Sequence, residues 1–267
     1  MIHLLPLLAT FTFEKPTTKD FVWPCAQGGT IGGFSPCFNF IFLLVLLAVV
    51  AFLTFFFFAF RKPKLVPGKL QLMAEMGFDF VKENVVLGMM GPEGMAFFAL
   101  LATFFFYILF GNLFEVVPGV NFSMNSRIAF PIVLAVVSWM VYLVVGFRKH
   151  GIFGYLKMVA FPPGVPVAVY VLLTPIELLQ VFFIRPLTLA VRLFANMVAG
   201  HFLLAVFFLA TFGFFASLNG VLMVLGVFSG ALAMGLLGFE IFVSGLQAFI
   251  FAVLTASYIQ GAMADEH

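Results

Sequence analysis

The sequence predicts an all-α polytopic membrane protein with about five membrane helices. Of its 267 residues, 64% are hydrophobic and 9% are charged, whereas a soluble domain has roughly 25% charged residues. Apolar runs long enough to cross a bilayer recur along the chain. Basic residues cluster in the connections between those runs, as they do in proteins with a fixed orientation in the membrane.

The N-terminal segment, residues 1–37, is predicted to lie on the outer side of the membrane. Its first residues, MIHLLPLLATF, lack a basic region and include a proline, so no cleaved signal peptide is expected. Cys25 and Cys37 flank a glycine-rich stretch and would form a disulfide in an oxidising compartment; two unrelated thiols are an equally good interpretation. No metal site is expected, because no histidine or second cysteine pair lies near them.

The membrane domain, residues 38–267, begins with three spans of ordinary length. Residues 38–60 form an uncharged run of 23 residues that ends before Arg61, long enough to cross a hydrocarbon core of ~30 Å. Residues 65–93 alternate charged and apolar side chains at helical spacing, which predicts an interfacial amphipathic helix. Further spans are predicted at about 95–117 and 128–147. The proline-rich residues 151–174 are expected to form a surface connection.

The last two helices are predicted to be long, steeply tilted and antiparallel. After Pro186 the chain has no proline, and its clear turn signal is Ser217-Leu218-Asn219-Gly220. Helices over 175–216 and 221–261 would each be about 60 Å long, which requires tilt in a bilayer of ordinary thickness. The alternative is four ordinary spans, broken at Gly213 and near Gly235–Gly238. Small residues in the last helix predict close packing against a neighbouring helix, with a hinge as the rival interpretation.

The distribution of basic residues predicts the orientation. Eight of the 13 Lys and Arg residues fall in two connections on the same side of the predicted spans. The positive-inside rule then places the N-terminus outside and the C-terminus in the cytoplasm.

Charged residues within the last hairpin indicate where function lies. The stretch from Arg185 to His201 reads RPLTLAVRLFANMVAGH, and an arginine near the bilayer centre costs roughly 2.5–3.5 kcal/mol. Counted from Asn219, Arg192 lies 27 residues before the turn and Gln247 28 after it. Positions at equal distance from a turn share a depth, so these two side chains are expected at one level.

The same counting predicts a titratable layer outward of the arginine and a carboxylate inward. His201 lies 18 residues before the turn and Glu240 21 after it, so the two should share a level. Glu177, 15 residues before Arg192, falls about 22 Å inward. Carboxyl and imidazole groups can take and release protons near neutral pH, whereas a guanidinium cannot.

Arg192 is therefore expected to interrupt a proton path and to offer a fixed positive charge. A buried arginine needs an anion, and Glu177 and Glu240 are both far from it along the helices. The anion is expected on another chain, with Gln247 holding the guanidinium in place. The alternative is that Arg192 pairs internally or serves as a structural charge.

Two stretches, RPLTLAVRLFANMVAGH and FEIFVSGLQAFIFAVLTASYI, resemble the a subunit of the F-type rotary ATP synthase membrane sector, and the resemblance covers residues ~38–262. It implies a static half of the proton path beside a rotating ring of c subunits. By resemblance, Arg192 faces the ring carboxylate. The other residues implied in proton translocation are His201, Glu240 and Gln247 in or beside the outer half-channel, Asn196 and Asn112 at family positions, Glu115 toward the outer entrance, and Glu177 toward the inner side.

Two departures from the family pattern matter. Many bacterial members have Glu at the position of His201 and His at that of Glu240; here the acid and base are exchanged but the pair is kept. Glu177 lies one residue further from the arginine motif than the usual inner carboxylate.

The resemblance implies a non-catalytic subunit that couples proton flow to ring rotation and ATP synthesis. Its expected partners are the c ring, b-type peripheral stalk subunits, the remaining ATP synthase subunits and the lipid bilayer of an energy-coupling membrane, in bacteria the plasma membrane. The chain has no Walker-type phosphate loop, and no cofactor, metal or nucleic acid is expected. The alternative function is a self-contained proton-coupled secondary transporter, which typically has repeated halves and discontinuous helices.

Overall fold

The computed structural model describes residues 26–27, 37–38, 40–117, 125, 127–161, 166–217 and 220–264. Within these ranges the α-helices are α1 (Phe40–Phe60), α2 (Lys69–Val81), α3 (Gly88–Met90), α4 (Phe98–Leu113), α5 (Ala129–Ala160), α6 (Val167–Leu179), α7 (Arg185–Ala216) and α8 (Gly220–Met263). π-helical turns cover Lys82–Leu87 and Gln180–Ile184, and a 3₁₀ segment covers Pro92–Phe97. Strands β1 (Ala26–Gln27) and β2 (Cys37–Phe38) pair antiparallel. Cys25, and with it the question of a disulfide, lies outside the described residues.

The predicted fold class is confirmed. Four helical stretches are long and apolar enough to cross a membrane: Pro92–Leu113, Ala129–Ala160, Val169–Ala216 and Gly220–Met263. A shorter apolar helix covers Val45–Phe60. α1 ends directly before the basic stretch that begins at Arg61, and residues 69–90 are helical as their periodicity predicted.

Residues 151–174, which the sequence predicts to form a surface connection, are helical over most of their length. α5 extends to Ala160, past a change of direction at Gly151, where φ is +74°. Glycine adopts this backbone conformation without steric cost. α6 begins at Val167 and contains Pro175 in its interior, so the long helical stretch starts before the predicted residue 175.

The last two helices are unbroken, which excludes the alternative of four ordinary spans. α7 passes through Gly213, and α8 passes through Gly235 and Gly238. The two helices pack antiparallel, with small residues at the contact. A Cβ at Gly230 would lie 3.3 Å from the Thr211 side chain, and the Ser229 hydroxyl donates to the Phe207 carbonyl at 3.2 Å. Close packing of the small residues on the preceding helix is thereby confirmed.

α5 packs on both of these helices and α4 packs on α8, which completes the bundle. The core between them contains fully buried side chains from each element: Leu101, Ile108, Tyr142, Leu193, Phe251 and Ile259. Phenylalanine rings tie α1 to α4, as in the edge-to-face contact of Phe56 with Phe106 at 4.9 Å. This packing brings the residues that follow α4 beside the middle of α7 and α8.

Candidate functional site

Three titratable side chains from three different elements meet beside the C-terminal end of α4. Glu115 follows the C-terminus of α4, His201 lies on α7 and Glu240 on α8. His201 Nδ1 is 3.7 Å from Glu115 Oε1, and the carboxyl groups of Glu115 and Glu240 are close enough to interact electrostatically. Both carboxylates are buried, with exposed fractions of 2% and 5%. We call these three residues the outer titratable group.

Gly200 gives the Glu240 carboxylate its place between the helices. A Cβ at residue 200 would overlap the Glu240 carboxylate. The carboxylate therefore lies in space that any other residue at position 200 would fill. Since Gly200 precedes His201, the same feature brings Glu240 next to the imidazole-bearing turn of α7.

Two cavities adjoin the outer titratable group. One, of about 230 Å³, is lined by Glu115 and His201 together with apolar residues. The other, of about 270 Å³, is lined by Glu240 and Asn196. Leu204 lines both cavities. Each has room for several water molecules and polar groups to bind them.

An asparagine pair supports the end of α4 beside Glu115. Asn125 donates from Nδ2 to Asn112 Oδ1 at 2.7 Å, and both side chains are fully buried. Asn112 lies one helical turn before Glu115. Asn125 was missed in the sequence, where it stands in a short polar loop with several similar residues. Only its contact with Asn112 distinguishes it from them.

Arg192 points out of the bundle. Its side chain is exposed on α7, on the same side as the exposed Ala195 and Ala199. Among the contacts of the described residues, none is an ion pair or side-chain hydrogen bond to Arg192. The expectation that Gln247 holds the guanidinium is not met, because Gln247 Oε1 instead accepts a hydrogen bond from Asn196 Nδ2 at 2.9 Å.

Glu177 is not brought together with the other predicted residues. It lies half-buried on α6 and lines neither of the cavities that adjoin the outer titratable group. Within the described part of the chain, no ion pair or side-chain hydrogen bond to Glu177 is present.

Comparison with known proteins gives the family. The family model described as ATP synthase A chain matches residues 41–260. The chain is 41% identical over 262 residues to an ATP synthase subunit a of Rhodococcus erythropolis, covering 97% of this chain and 94% of that protein. It is 38% identical to the subunit a of Frankia alni, covering 100% and 92%, and 42% identical to that of Hyphomonas neptunium, covering 84% and 86%.

The chain belongs to the ATP synthase A chain family.

As a member of the ATP synthase A chain family, the chain is a multi-pass component of the ATP synthase membrane sector. The structure brings together Glu115, His201 and Glu240, and it pairs Asn196 with Gln247. Arg192 lies nine residues before His201 on α7, about two and a half turns away, and is exposed on the outside of the bundle. The two carboxylates, Glu115 and Glu240, are therefore internal, while the permanent charge of Arg192 is exposed.

Proposed function

We propose that the chain is the stator proton-channel subunit of a rotary ATP synthase, with two offset half-channels that serve a carboxylate on a ring of c subunits. The observation that carries the proposal is the outer titratable group, buried between two cavities and followed along α7 by an outward-facing arginine. A buried path that ends at an exposed guanidinium fits delivery of protons to an external acceptor.

The outer half-channel would run through the outer titratable group. A proton entering from outside would reach Glu115 and His201, pass to Glu240 across Gly200, and leave through the cavity that Asn196 lines. Each of these steps joins groups that are in contact or border a shared cavity. Asn196, which lines that cavity, is four residues from Arg192 and hydrogen-bonds to Gln247.

Arg192 would hold the deprotonated ring carboxylate and prevent protons from crossing directly between the half-channels. A guanidinium stays charged at any physiological pH, so it can attract an anion but cannot relay a proton. Its exposed position and the absence of an anionic partner in the described part of the chain support an anion from another chain. In the inner half-channel, Glu177 is the proposed carboxylate, on the strength of the family resemblance.

The orientation and setting follow from the same proposal. The N-terminus would lie outside and the C-terminus in the cytoplasm, in the plasma membrane of a bacterium. Each proton crossing 100 mV releases about 2.3 kcal/mol, so several must pass for each ATP formed. The c ring, b-type stalk subunits and the nucleotide-binding subunits would be the partners, and ATP chemistry would belong to the last of these.

The test of the proposal is Arg192→Ala in the assembled complex. We expect ATP-driven proton pumping into membrane vesicles to fall to background, because the ring carboxylate loses the charge that attracts it. Arg61→Ala is the matched control: Arg61 is an exposed arginine whose described contact is with the Phe57 ring, 5.9 Å away, and its loss should leave pumping unchanged. Pumping by Arg192→Ala at a near-normal rate would exclude the central role given to Arg192.

A further inference from the structure

The hydroxyl of Tyr142 supplies a hydrogen bond that the backbone before α7 lacks. Tyr142 lies on α5, is 1% exposed, and donates to the carbonyl of Val181 in the π-helical turn Gln180–Ile184. The backbone N–H of Arg185 bonds to the Gln180 carbonyl instead. The next residue, Pro186, has no N–H to donate. Tyr142 therefore satisfies a buried carbonyl that neither neighbouring backbone donor reaches.

The ring of Tyr142 continues this contact to α8. It packs edge-on against the Tyr258 ring, with centroids 5.8 Å apart and planes at 64°. The Arg185 guanidinium lies over the Tyr258 ring, 5.1 Å from its centroid. This distance is within the range of a cation–π interaction. We call Tyr142, the Val181 carbonyl, Arg185 and Tyr258 the tyrosine clamp; it joins α5, α7 and α8 at one level.

The rotation of α7 about its axis depends on this region. A π-helical turn contains one residue more than an α-helical turn, so the side chains that follow it are rotated by about 100° relative to an uninterrupted helix. Arg192 lies seven residues after Arg185, two turns later and on nearly the same face. Any change of rotation at Arg185 would therefore reappear at Arg192.

We propose that the tyrosine clamp fixes the rotation of α7 and thereby points Arg192 out of the bundle. Tyr142 is a positioning residue: its hydroxyl stabilises the π-helical turn that sets the direction of the helix. Tyr258 is a second positioning residue, since its ring holds Arg185 against α8. The consequence for proton pumping rests on the function proposed for Arg192, whereas the consequence for helix rotation does not.

A disulfide experiment tests the rotation without measuring activity. In a background with Cys25→Ser and Cys37→Ser, the pair Asn196→Cys and Gln247→Cys replaces side chains that now meet across α7 and α8. The rate of disulfide formation under mild oxidant is compared in membranes with equal amounts of chain. Tyr142→Phe should slow disulfide formation about fivefold or more. It leaves the buried Val181 carbonyl without a hydrogen-bond donor, and this loss shifts a structural equilibrium by about fivefold or more.

Tyr155→Phe is the matched control. Tyr155 is also on α5 and 2% exposed, but no side-chain hydrogen bond from its hydroxyl is present within the described residues. The disulfide rate should be unchanged in this variant. Equal rates in all three proteins, or equal slowing by both substitutions, would overturn the proposal, because either result removes the specific role of the Tyr142 hydroxyl.

Substitutions at Tyr258 separate the ring from the hydroxyl. Tyr258→Leu removes the surface on which Arg185 rests and should slow the disulfide, while Tyr258→Phe retains that surface and should restore the rate. If Tyr258→Leu and Tyr258→Phe slowed disulfide formation equally, a cation–π role for the Tyr258 ring would be contradicted.

Pumping provides the functional readout. In the assembled complex, Tyr142→Phe should lower the number of protons pumped per ATP hydrolysed, with normal amounts of assembled complex. Slowed disulfide formation with unaltered pumping would refute the link from the tyrosine clamp to Arg192. It would not affect the proposed function, which the Arg192→Ala substitution tests separately.

Discussion

The outer titratable group and Arg192 both include a residue of α7, yet their surroundings are opposite. Glu115 and Glu240 are almost fully buried and face each other and His201. Arg192, nine residues before His201, is exposed and has no ionic partner among the described residues. On the proposed function, the difference would separate two tasks: groups that exchange protons would be gathered inside the chain, and a permanent charge would be left for a partner to neutralise.

The physical reason for the difference lies in protonation. A carboxyl or imidazole group can bind or release a proton and so need not remain charged in an apolar interior. A guanidinium has no such option, and an unpaired buried one would carry a penalty of several kcal/mol. Helix packing within the chain can therefore enclose carboxyl and imidazole groups, whereas a guanidinium without an internal anion has to lie at an interface.

Removing the imidazole from the outer titratable group is the strongest test of this difference between the two regions. His201→Leu should lower ATP-driven proton pumping by about 100-fold, because proton transfer by a positioned side chain contributes roughly 10²–10⁴-fold. Pumping in inverted vesicles at equal amounts of assembled complex measures the effect.

His150→Leu serves as the control for His201→Leu. His150 lies at the kink of α5, away from the outer titratable group, and its loss should change pumping little. If both substitutions had the same effect, or if His201→Leu pumped normally, the internal path through His201 would be disproved.

A smaller effect is expected from filling the space beside Glu240. In Gly200→Ala the new methyl group would overlap the Glu240 carboxylate and displace it from Glu115 and His201. We expect pumping to fall about tenfold, less than the roughly 10²–10⁴-fold contribution of a positioned proton-transfer group, because the carboxylate is displaced and not removed. Adding Glu240→Asp, which shortens the side chain by one methylene, should restore part of the loss.

Gly154→Ala is the matched glycine control. The nearest atom to a Cβ at Gly154 is the Cβ of His150 at 3.5 Å, an ordinary van der Waals distance. Pumping by this variant should equal that of the unaltered protein. A Gly200→Ala protein that pumps at full rate would show that the position of the Glu240 carboxylate does not limit proton passage.

The sequence predicts the number of apolar helices well because composition dominates that problem. The basic residues from Arg61 mark the end of α1, and the proline-free stretch after Pro186 marks two long helices. The helices within residues 151–174 could not be predicted, because the prolines there are residues that usually end helices. Pro175 nevertheless lies inside α6, where loss of one backbone hydrogen bond is outweighed by the apolar helix around it.

In the site, counting residues from the turn predicts the level of each side chain along α7 and α8. It predicts neither the rotation of the helices about their axes nor the third member of the outer titratable group, Glu115. His201 and Glu240 were placed at one level, and the structure has Glu240 against Gly200, the residue before His201. Glu115 lies 86 positions before His201, so their contact follows only from the packing of α4. The π-helical turn at Gln180–Ile184 has no sequence signal either, since it requires a donor from α5.

The central claim is that the exposed face of α7 carrying Arg192 lies against the c ring. The most direct measurement is cross-linking in the assembled complex, with a short photoreactive group on a cysteine at Ala195, one turn from Arg192 and exposed. The same group at Val133 of α5, 60% exposed, is the comparison, both without Cys25 and Cys37. We predict that the Ala195→Cys protein is joined to a c subunit and the Val133→Cys protein is not. A c-subunit product from position 133 alone, or from neither position, would contradict the claim.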